Sequence, residues 1–337
     1  MYRKLGDVTL KNGEDAELGV LCGPDNSALA QRLLSLLGHK GRSWQWQIEQ
    51  SLSRENTGAE GRFYILLKYG HPFANIMTVE RAGIGIFGHV YTEPAERRKG
   101  ASEIIHNALF EDFKQRGGRA LYLGTDFDSA PYRLYLKHGF KGTEPGSGYM
   151  YWFARDKAAF ERELFVPSET DLEPLAFSHW PTLPALSMIT HPARIRIMGM
   201  NIIGPRSTEG GSLNYLAALD PGASEQLEKR DLSMNAVVAV SRASGVPVAI
   251  AAVRADEYFW EQTDLLDMFC APGFEAELPP LVAALQTAPG RSTICYSDEF
   301  WSQKSDVLRA CGFSPAATLK RHAQSAGQVF DVTLWTK

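Results

Sequence analysis

The stretch Val90-Tyr-Thr-Glu-Pro-Ala-Glu-Arg-Arg-Lys-Gly-Ala-Ser102 is the most informative segment of this chain. Val90–Thr92 is typical of the end of a strand, and Pro94 interrupts it. Two residues past the basic run, the pattern becomes helical, so we expect a helix to begin near Ala101. The first N–H groups of a helix have no intrahelical partners, and the peptide dipoles add partial positive charge there.

The residues around this helix start favour the approach of an anion. Three of them are small: Gly100, Ala101 and Ser102. Three others, just before, are basic: Arg97, Arg98 and Lys99. Because free backbone amides lie beside fixed positive charge, the stretch predicts a turn that binds a pyrophosphate.

A strand that leads into Arg-x-x-Gly-x-small resembles the acetyl-CoA site of the GNAT superfamily of N-acetyltransferases. The family pattern is Gln/Arg-x-x-Gly-x-Gly/Ala, and here its positions hold Arg97, Gly100 and Ser102. A second segment, 128–140, is similar to the family's Asn-x-x-Ala-x-x-Leu-Tyr-x-x-x-Gly-Phe. It keeps the Leu, Tyr, Gly and Phe in register and departs in two places, with Asp128 for the Asn and Pro131 for the Ala. The resemblance covers about residues 1–155.

The resemblance implies acetyl-CoA as the acyl donor and no metal. It places the cofactor along Val90, Tyr91, Thr92, Arg97, Arg98, Lys99, Gly100, Ala101, Ser102 and Asp128. The backbone of Val90–Thr92 would pair with the pantetheine amides, and its N–H groups would polarise the thioester carbonyl. Tyr135 would protonate the departing thiolate, a role for which a phenol with a pKa of about 10 is suited.

The sequence does not decide which residue is the general base. Some family members carry a Glu four residues before the pantetheine-binding segment, where this chain has Ile86. His89 is a candidate, although strand alternation places it on the face opposite Ile86 unless a bulge reverses the parity. Glu80, Asp126 and a water relay are alternatives. For the acceptor wall, the family suggests Trp44 and Trp46, in the helical region after the first predicted strand.

The order of predicted elements indicates an α/β chain of the α+β type, built from two tandem GNAT-like units. Each would be a mixed, mostly antiparallel sheet flanked by helices. We expect a catalytic, CoA-binding domain over 1–155, and a connector plus a degenerate domain over 156–337. In the second half, Ala271–Glu277 is acidic where the first half is basic. Because carboxylates repel a pyrophosphate, that turn is not expected to bind CoA.

Composition narrows the possible classes of protein. The chain has 337 residues, 44% of them hydrophobic, which is enough for two cores. A net charge of −4 argues against a nucleic-acid-binding surface over the whole chain. No long apolar run indicates a membrane span or a leader. The four cysteines, which are scattered, favour reduced thiols in a cytoplasmic protein: Cys22, Cys270, Cys295 and Cys311.

These expectations converge on an acyl-CoA-dependent N-acyltransferase that acetylates the amine of a small molecule directly. Two alternatives stay open, namely acetylation of a protein lysine or N-terminus, and a non-catalytic acyl-CoA sensor. The partner would be a small-molecule amine, with neither nucleic acid nor membrane, and a homodimer is possible.

Overall fold

The computed structural model describes residues 1–55, 57–219, 235–256, 262–287 and 289–337. These residues form two large sheets, one from each half of the chain, with helices packed on their faces. The expected α/β class and the tandem arrangement of two sheets are therefore confirmed.

The first sheet has eight strands in the order β1-β2-β3-β4-β5-β6-β8-β7. Its strands are β1 (Tyr2–Thr9), β2 (Asp15–Cys22), β3 (Glu60–Lys68), β4 (His71–Arg81), β5 (Ile84–Thr92), β6 (Ala120–Gly124), β7 (Lys141–Gly142) and β8 (Tyr149–Phe153). Its helices are α1 (Ala28–Leu36), α2 (Arg42–Ser53), α3 (Ala101–Gln115), α4 (Ala130–Lys137) and α5 (Lys157–Leu164). Strands β3 and β4 are buried along most of their length because helices cover both faces.

One opening in this sheet positions the candidate site. Strands β5 and β6 run parallel and pair only from Ile84 to Ile86 on the β5 side. Beyond Ile86, β5 continues along β4 to Thr92, while β6 continues along β8 to Gly124. The two strands therefore diverge, and the edges that face each other are open. Strand β5 then leads through a short 3-10 turn at Pro94–Glu96 to the start of α3.

The second sheet has seven strands in the order β16-β17-β15-β14-β13-β12-β9. The remaining strands are β9 (Thr170–Pro174), β10 (Ile195–Ile197), β11 (Ile202–Ile203), β12 (Asn235–Ser241), β13 (Pro247–Ala255), β14 (Thr263–Cys270), β15 (Ser292–Asp298), β16 (Ser314–Ser325) and β17 (Gln328–Thr336). The remaining helices are α6 (Leu183–Ser187), α7 (Glu209–Leu219), α8 (Leu278–Ala284) and α9 (Ser302–Ala310). Starting from β9, the second sheet has the order β9-β12-β13-β14-β15-β17-β16. The first sheet from β2 onward has the same arrangement, and in both sheets the last two strands are reversed relative to their order in the chain.

The second sheet also opens between its parallel strands, but the chain itself enters that opening. Strands β14 and β15 pair only at 263–266 and 292–295. Past that point, the carboxylate of Asp267 accepts the backbone N–H groups of Met198 and Gly199 at 2.7 and 2.6 Å. Asp298 likewise accepts those of Arg194 and Ile195. Residues 194–199 thus hydrogen-bond to both diverging strands.

The two halves share one hydrophobic core. A single cluster of buried side chains includes Phe63 and Met77 from the first sheet and Trp180, Leu213 and Val238 from the second half. A second cluster lies on the other face of the first sheet, beneath α3 and α4. The connector into the second half contains α5 and also strand β9, which pairs with β12.

Candidate active site

The turn before α3 has the backbone shape of an anion-binding loop. Arg98 (φ 66°) and Gly100 (φ 87°) are left-handed, and α3 begins at Ala101 directly after them. The backbone N–H groups of 98–103 have no hydrogen-bond partner within the described part of the chain. A side chain at Gly100 would meet Lys11 at 3.0 Å, so both the φ value and the space favour glycine. The amides that were predicted to face a phosphate are therefore free to do so.

The three basic residues of this turn differ in their availability. Arg97 and Arg98 are exposed, and Arg97 donates from Nε to the carbonyl oxygen of Thr92 at 3.0 Å. Lys99 instead forms ion pairs with Glu14 and Glu96, each at 3.2 Å. Because two carboxylates already neutralise it, Lys99 is less available to an anion than the sequence suggested.

A β-bulge lies in β5, beside the point where the strands diverge. Met77 of β4 pairs with Gly88, but Asn75 pairs with Tyr91, so β5 has one extra residue. The extra residue is His89, whose φ is 49°. The Asn75 side-chain amide donates to the carbonyl oxygen of His89 at 3.0 Å and holds the bulge. The bulge reverses the alternation of β5, which is the condition under which His89 was expected to share the face of Ile86.

His89 is held by α2 and is a poor base. Its Nε2 lies 2.7 Å from the side-chain oxygen of Gln47, and its ring meets the Trp44 ring edge-on with centroids 5.3 Å apart. Burial lowers the pKa of His89 to about 3, so its imidazole is neutral and weakly basic at pH 7. A hydrogen bond that fixes the ring and a low pKa both argue for a structural role at the bulge.

Tyr135 lies on α4 and packs against the first sheet. Its ring packs against Phe87, His106 and Phe140 with centroids 5.3 to 5.9 Å away. Its hydroxyl has no hydrogen-bond partner among the described residues. Burial, and then the negative charge of Glu209, raise the pKa of Tyr135 above its usual value. Tyr135 is therefore a neutral hydrogen-bond donor and a weaker acid than a free phenol.

The other carboxylates considered from the sequence lie in different surroundings. Glu80 is buried and bound through both oxygens to Arg116, at 2.7 and 3.0 Å, near the C-terminal end of α3. Since α3 begins at the basic turn 97–100, this pair lies at the opposite end of the helix, which argues against Glu80 as the base. Asp126 is exposed in the loop after β6. Asp128, which is also exposed, forms an ion pair with Arg133 at 2.9 Å.

The two tryptophans of α2 differ in position. Trp44 is half-buried against His89, and a Cβ on Gly210 would lie 3.8 Å from its ring. Trp46 is buried and meets Phe177 of the second half edge-on, with centroids 5.9 Å apart. Only Trp44 therefore borders the opening, while Trp46 belongs to the shared core.

Glu209 is the residue of this region that the sequence did not reveal. It is the first residue of α7, in the second half, and its side chain accepts the N–H of Gly124 at the end of β6, at 2.7 Å. Burial raises the pKa of Glu209 to about 8. The sequence around it, Thr208-Glu-Gly-Gly-Ser212, matches no motif. Glu209 and Gly124 are 85 positions apart in the sequence, and only the fold brings them together.

Two further structural features are absent from the described ranges. No group of three or more His, Cys, Asp or Glu side chains there is arranged to hold a metal ion. None of the helices found there has the length and apolar character that crossing a membrane requires.

No family model matches the chain, and no curated protein does. The chain is similar to solved structures of GNAT acetyltransferases. A GNAT phosphinothricin acetyltransferase from Sinorhizobium meliloti, solved with acetyl-CoA, is 16% identical, with a TM-score of 0.38, over 50% of this chain and 87% of its own. The ribosomal-protein-S5-alanine acetyltransferase from Vibrio fischeri is 14% identical, with a TM-score of 0.37, over 51% and 94%. An acetyltransferase of the GNAT family from Staphylococcus aureus is 15% identical, with a TM-score of 0.32, over 40% and 99%.

Proposed function

We propose that this chain is an acyl-CoA-dependent N-acyltransferase, using acetyl-CoA, that transfers the acyl group directly to the amine of a small molecule. The main support for the proposal is that three features meet at the opening between β5 and β6 of the first sheet. There, diverging parallel strands lead to a helix start with free amides, and a neutral tyrosine lies alongside.

The residues present fit an acyl-CoA. The free amides of 98–103 and the exposed Arg97 and Arg98 suit a pyrophosphate. The edge of β5 beyond Ile86 is unpaired toward β6 and offers backbone groups to the amides of a pantetheine arm. Both features lie on one continuous stretch of chain, so a single extended ligand could meet them in turn.

Acyl transfer from a thioester to an amine has three requirements: an oriented thioester, a free amine and a stabilised thiolate. Backbone N–H groups of β5 would orient and polarise the thioester carbonyl. Tyr135 would donate a hydrogen bond to the sulfur as the C–S bond breaks. With its pKa raised, Tyr135 acts best by relaying to the sulfur the proton that the attacking nitrogen loses.

The position of the second half supports a small acceptor. Glu209 touches the end of β6, and Gly210 lies close to Trp44, so α7 crosses one side of the opening. A covered opening leaves less room for a folded protein than for a small amine. We propose accordingly that 1–155 is the catalytic domain, and that 156–337 is a degenerate domain that borders the acceptor side.

Release of free CoA from acetyl-CoA in the presence of an amine panel tests the proposal. We expect release with at least one small amine, and binding of one acetyl-CoA per chain by calorimetry. Binding without release would favour the acyl-CoA sensor, and release only with peptides would favour a protein acetyltransferase. A stoichiometry near two would contradict the single site, since the second opening is expected to exclude the cofactor.

A further inference from the structure

Glu209 lies in the opening of the first sheet, although it belongs to the second half of the chain. Its carboxylate accepts the N–H of Gly124, which is the last residue of β6 and so one arm of the diverging pair. A Cβ at Gly124 would lie 2.8 Å from that carboxylate oxygen, so a larger residue there would displace the carboxylate from its present position. Glu209 as a residue is partly exposed, although its carboxyl lies in the buried surroundings that raise its pKa.

The backbone of Glu209 is held on both sides. Its carbonyl oxygen accepts the indole N–H of Trp180 at 3.0 Å, and Trp180 is completely buried. Its N–H donates to the hydroxyl of Ser207 at 3.3 Å. Because the second half fixes the start of α7 in this way, the carboxylate is presented to the first sheet from a rigid support.

The electrostatic surroundings of Glu209 suit a proton acceptor. No Lys or Arg of the described ranges forms an ion pair with its carboxylate, and the Gly124 N–H is the one hydrogen-bond donor to that carboxylate there. Burial therefore outweighs that single bond and raises the pKa of Glu209 to about 8. After burial, the negative charge of Glu209 is the second cause that raises the pKa of Tyr135, so the two groups are close enough to interact electrostatically.

We propose that Glu209 is the general base of the acyl transfer, supplied to the first sheet by the second half of the chain. This inference rests on the proposed function. An ammonium acceptor gives one proton to the Glu209 carboxylate, and the freed lone pair attacks the thioester carbon. When the C–S bond breaks, the nitrogen loses a second proton, which reaches the sulfur through Tyr135 and gives the CoA thiol. Glu209 then loses its proton to solvent, so one proton is released per turnover.

The kinetic test compares Glu209→Gln with Glu275→Gln. Glu275 is a matched control, because it also accepts one backbone N–H, from Gly273 at 3.0 Å, but on the second sheet's turn. Acetyl-CoA is offered with alkylamines, which are protonated at neutral pH, and with arylamines, which are not. We expect Glu209→Gln to lower kcat/KM for alkylamines by about 10²–10⁴-fold and for arylamines by much less. Acetyl-CoA affinity should stay unchanged in both variants.

The pH dependence adds a readout that a structural role would not move. In the wild type, kcat/KM for alkylamines should rise with pH through about 8, as the Glu209 carboxyl loses its proton. In Glu209→Gln, this rise should be replaced by one at the pKa of the alkylamine itself. The amide signal of Gly124 in ¹⁵N spectra should shift with the same midpoint in the wild type and remain constant in Glu209→Gln. This second measurement needs no acceptor.

The outcomes separate the two proposals. Wild-type turnover with equal losses for both amine classes, or with an unchanged pH limb in Glu209→Gln, would overturn the role of Glu209 alone. A Gly124 signal that does not titrate would do the same. No binding of acetyl-CoA and no CoA release with any amine would overturn the proposed function, and the role of Glu209 with it.

Discussion

Tyr135 shows how burial changes the role that a residue can play. A phenol near its ordinary pKa can protonate a thiolate outright, but burial against Phe87 and Phe140 raises the pKa of Tyr135. A group of this kind stabilises developing negative charge as a neutral donor, because its own ionised form is unfavourable. Its hydroxyl, which has no other partner in the described part of the chain, is available for that purpose.

Replacing Tyr135 by Phe removes this donor and leaves the aromatic packing in place. We expect Tyr135→Phe to lower kcat by about 10²–10⁴-fold, with little change in the KM for acetyl-CoA. Steady-state kinetics measure both constants, and a thermal unfolding midpoint close to that of the wild type confirms that the fold survives. Full turnover in a well-folded variant would assign Tyr135 to packing alone.

Glu209 should reduce the stability of the native state at alkaline pH. Its folded pKa of about 8 lies above the unfolded value of about 4.3, so between these values the folded state holds a proton that the unfolded state releases. This contribution to the free energy of unfolding is fully present below pH of about 4.3 and is lost as pH rises through about 8. Glutamine does not titrate, so Glu209→Gln should become more stable relative to the wild type over that window.

Thermal unfolding of both proteins across that pH range measures the effect. The Tm of Glu209→Gln minus that of the wild type should increase as pH rises. A difference that stays constant with pH would mean that Glu209 has an ordinary pKa in the folded protein.

At the scale of elements, the sequence predicted the helix start after the basic turn, but it predicted the bulge in β5 only as one of two alternatives. Small and basic residues next to a strand end specify a helix start by local chemistry alone, and α3 begins at Ala101 as expected. The face of His89 depends on whether β5 holds an extra residue, and this is set by pairing with Asn75 on β4. Cross-strand register is a tertiary property, so the sequence could state the alternatives but not choose between them.

The basic residues of the turn should contribute unequally to binding. Arg97 and Arg98 are exposed, whereas Lys99 already pairs with Glu14 and Glu96. We expect the Arg97→Ala, Arg98→Ala double variant to weaken CoA binding strongly and the binding of dephosphorylated pantetheine hardly at all. Calorimetry with both ligands measures this, and Lys99→Ala is the matched control with a smaller loss for CoA. Equal losses for both ligands would show that the arginines do not contact phosphate.

At the scale of the whole molecule, the two halves have the same sheet order but different contents in their openings. Periodicity predicted the repeated order of elements, since each strand and helix carries its own pattern. It did not predict that residues 194–199 would hydrogen-bond to Asp267 and Asp298 in the second opening, because that stretch has no regular pattern. Glu209 follows this irregular segment in the chain. The second half therefore fills the opening of its own sheet with residues 194–199, and places Glu209 at the opening of the first sheet.

Removal of the second half tests this dependence. The buried cluster joins Phe63 and Met77 to Trp180 and Leu213, and Trp46 of α2 packs on Phe177. A fragment that ends near residue 160 would expose this apolar face, and it would also lack Glu209. We expect the fragment to aggregate and to have no transferase activity, as measured by light scattering and CoA release. Co-expression with the remainder of the chain, as a control, should restore both solubility and activity. A soluble fragment with full activity would instead show that the second half is an independent module, and that the base lies within the first.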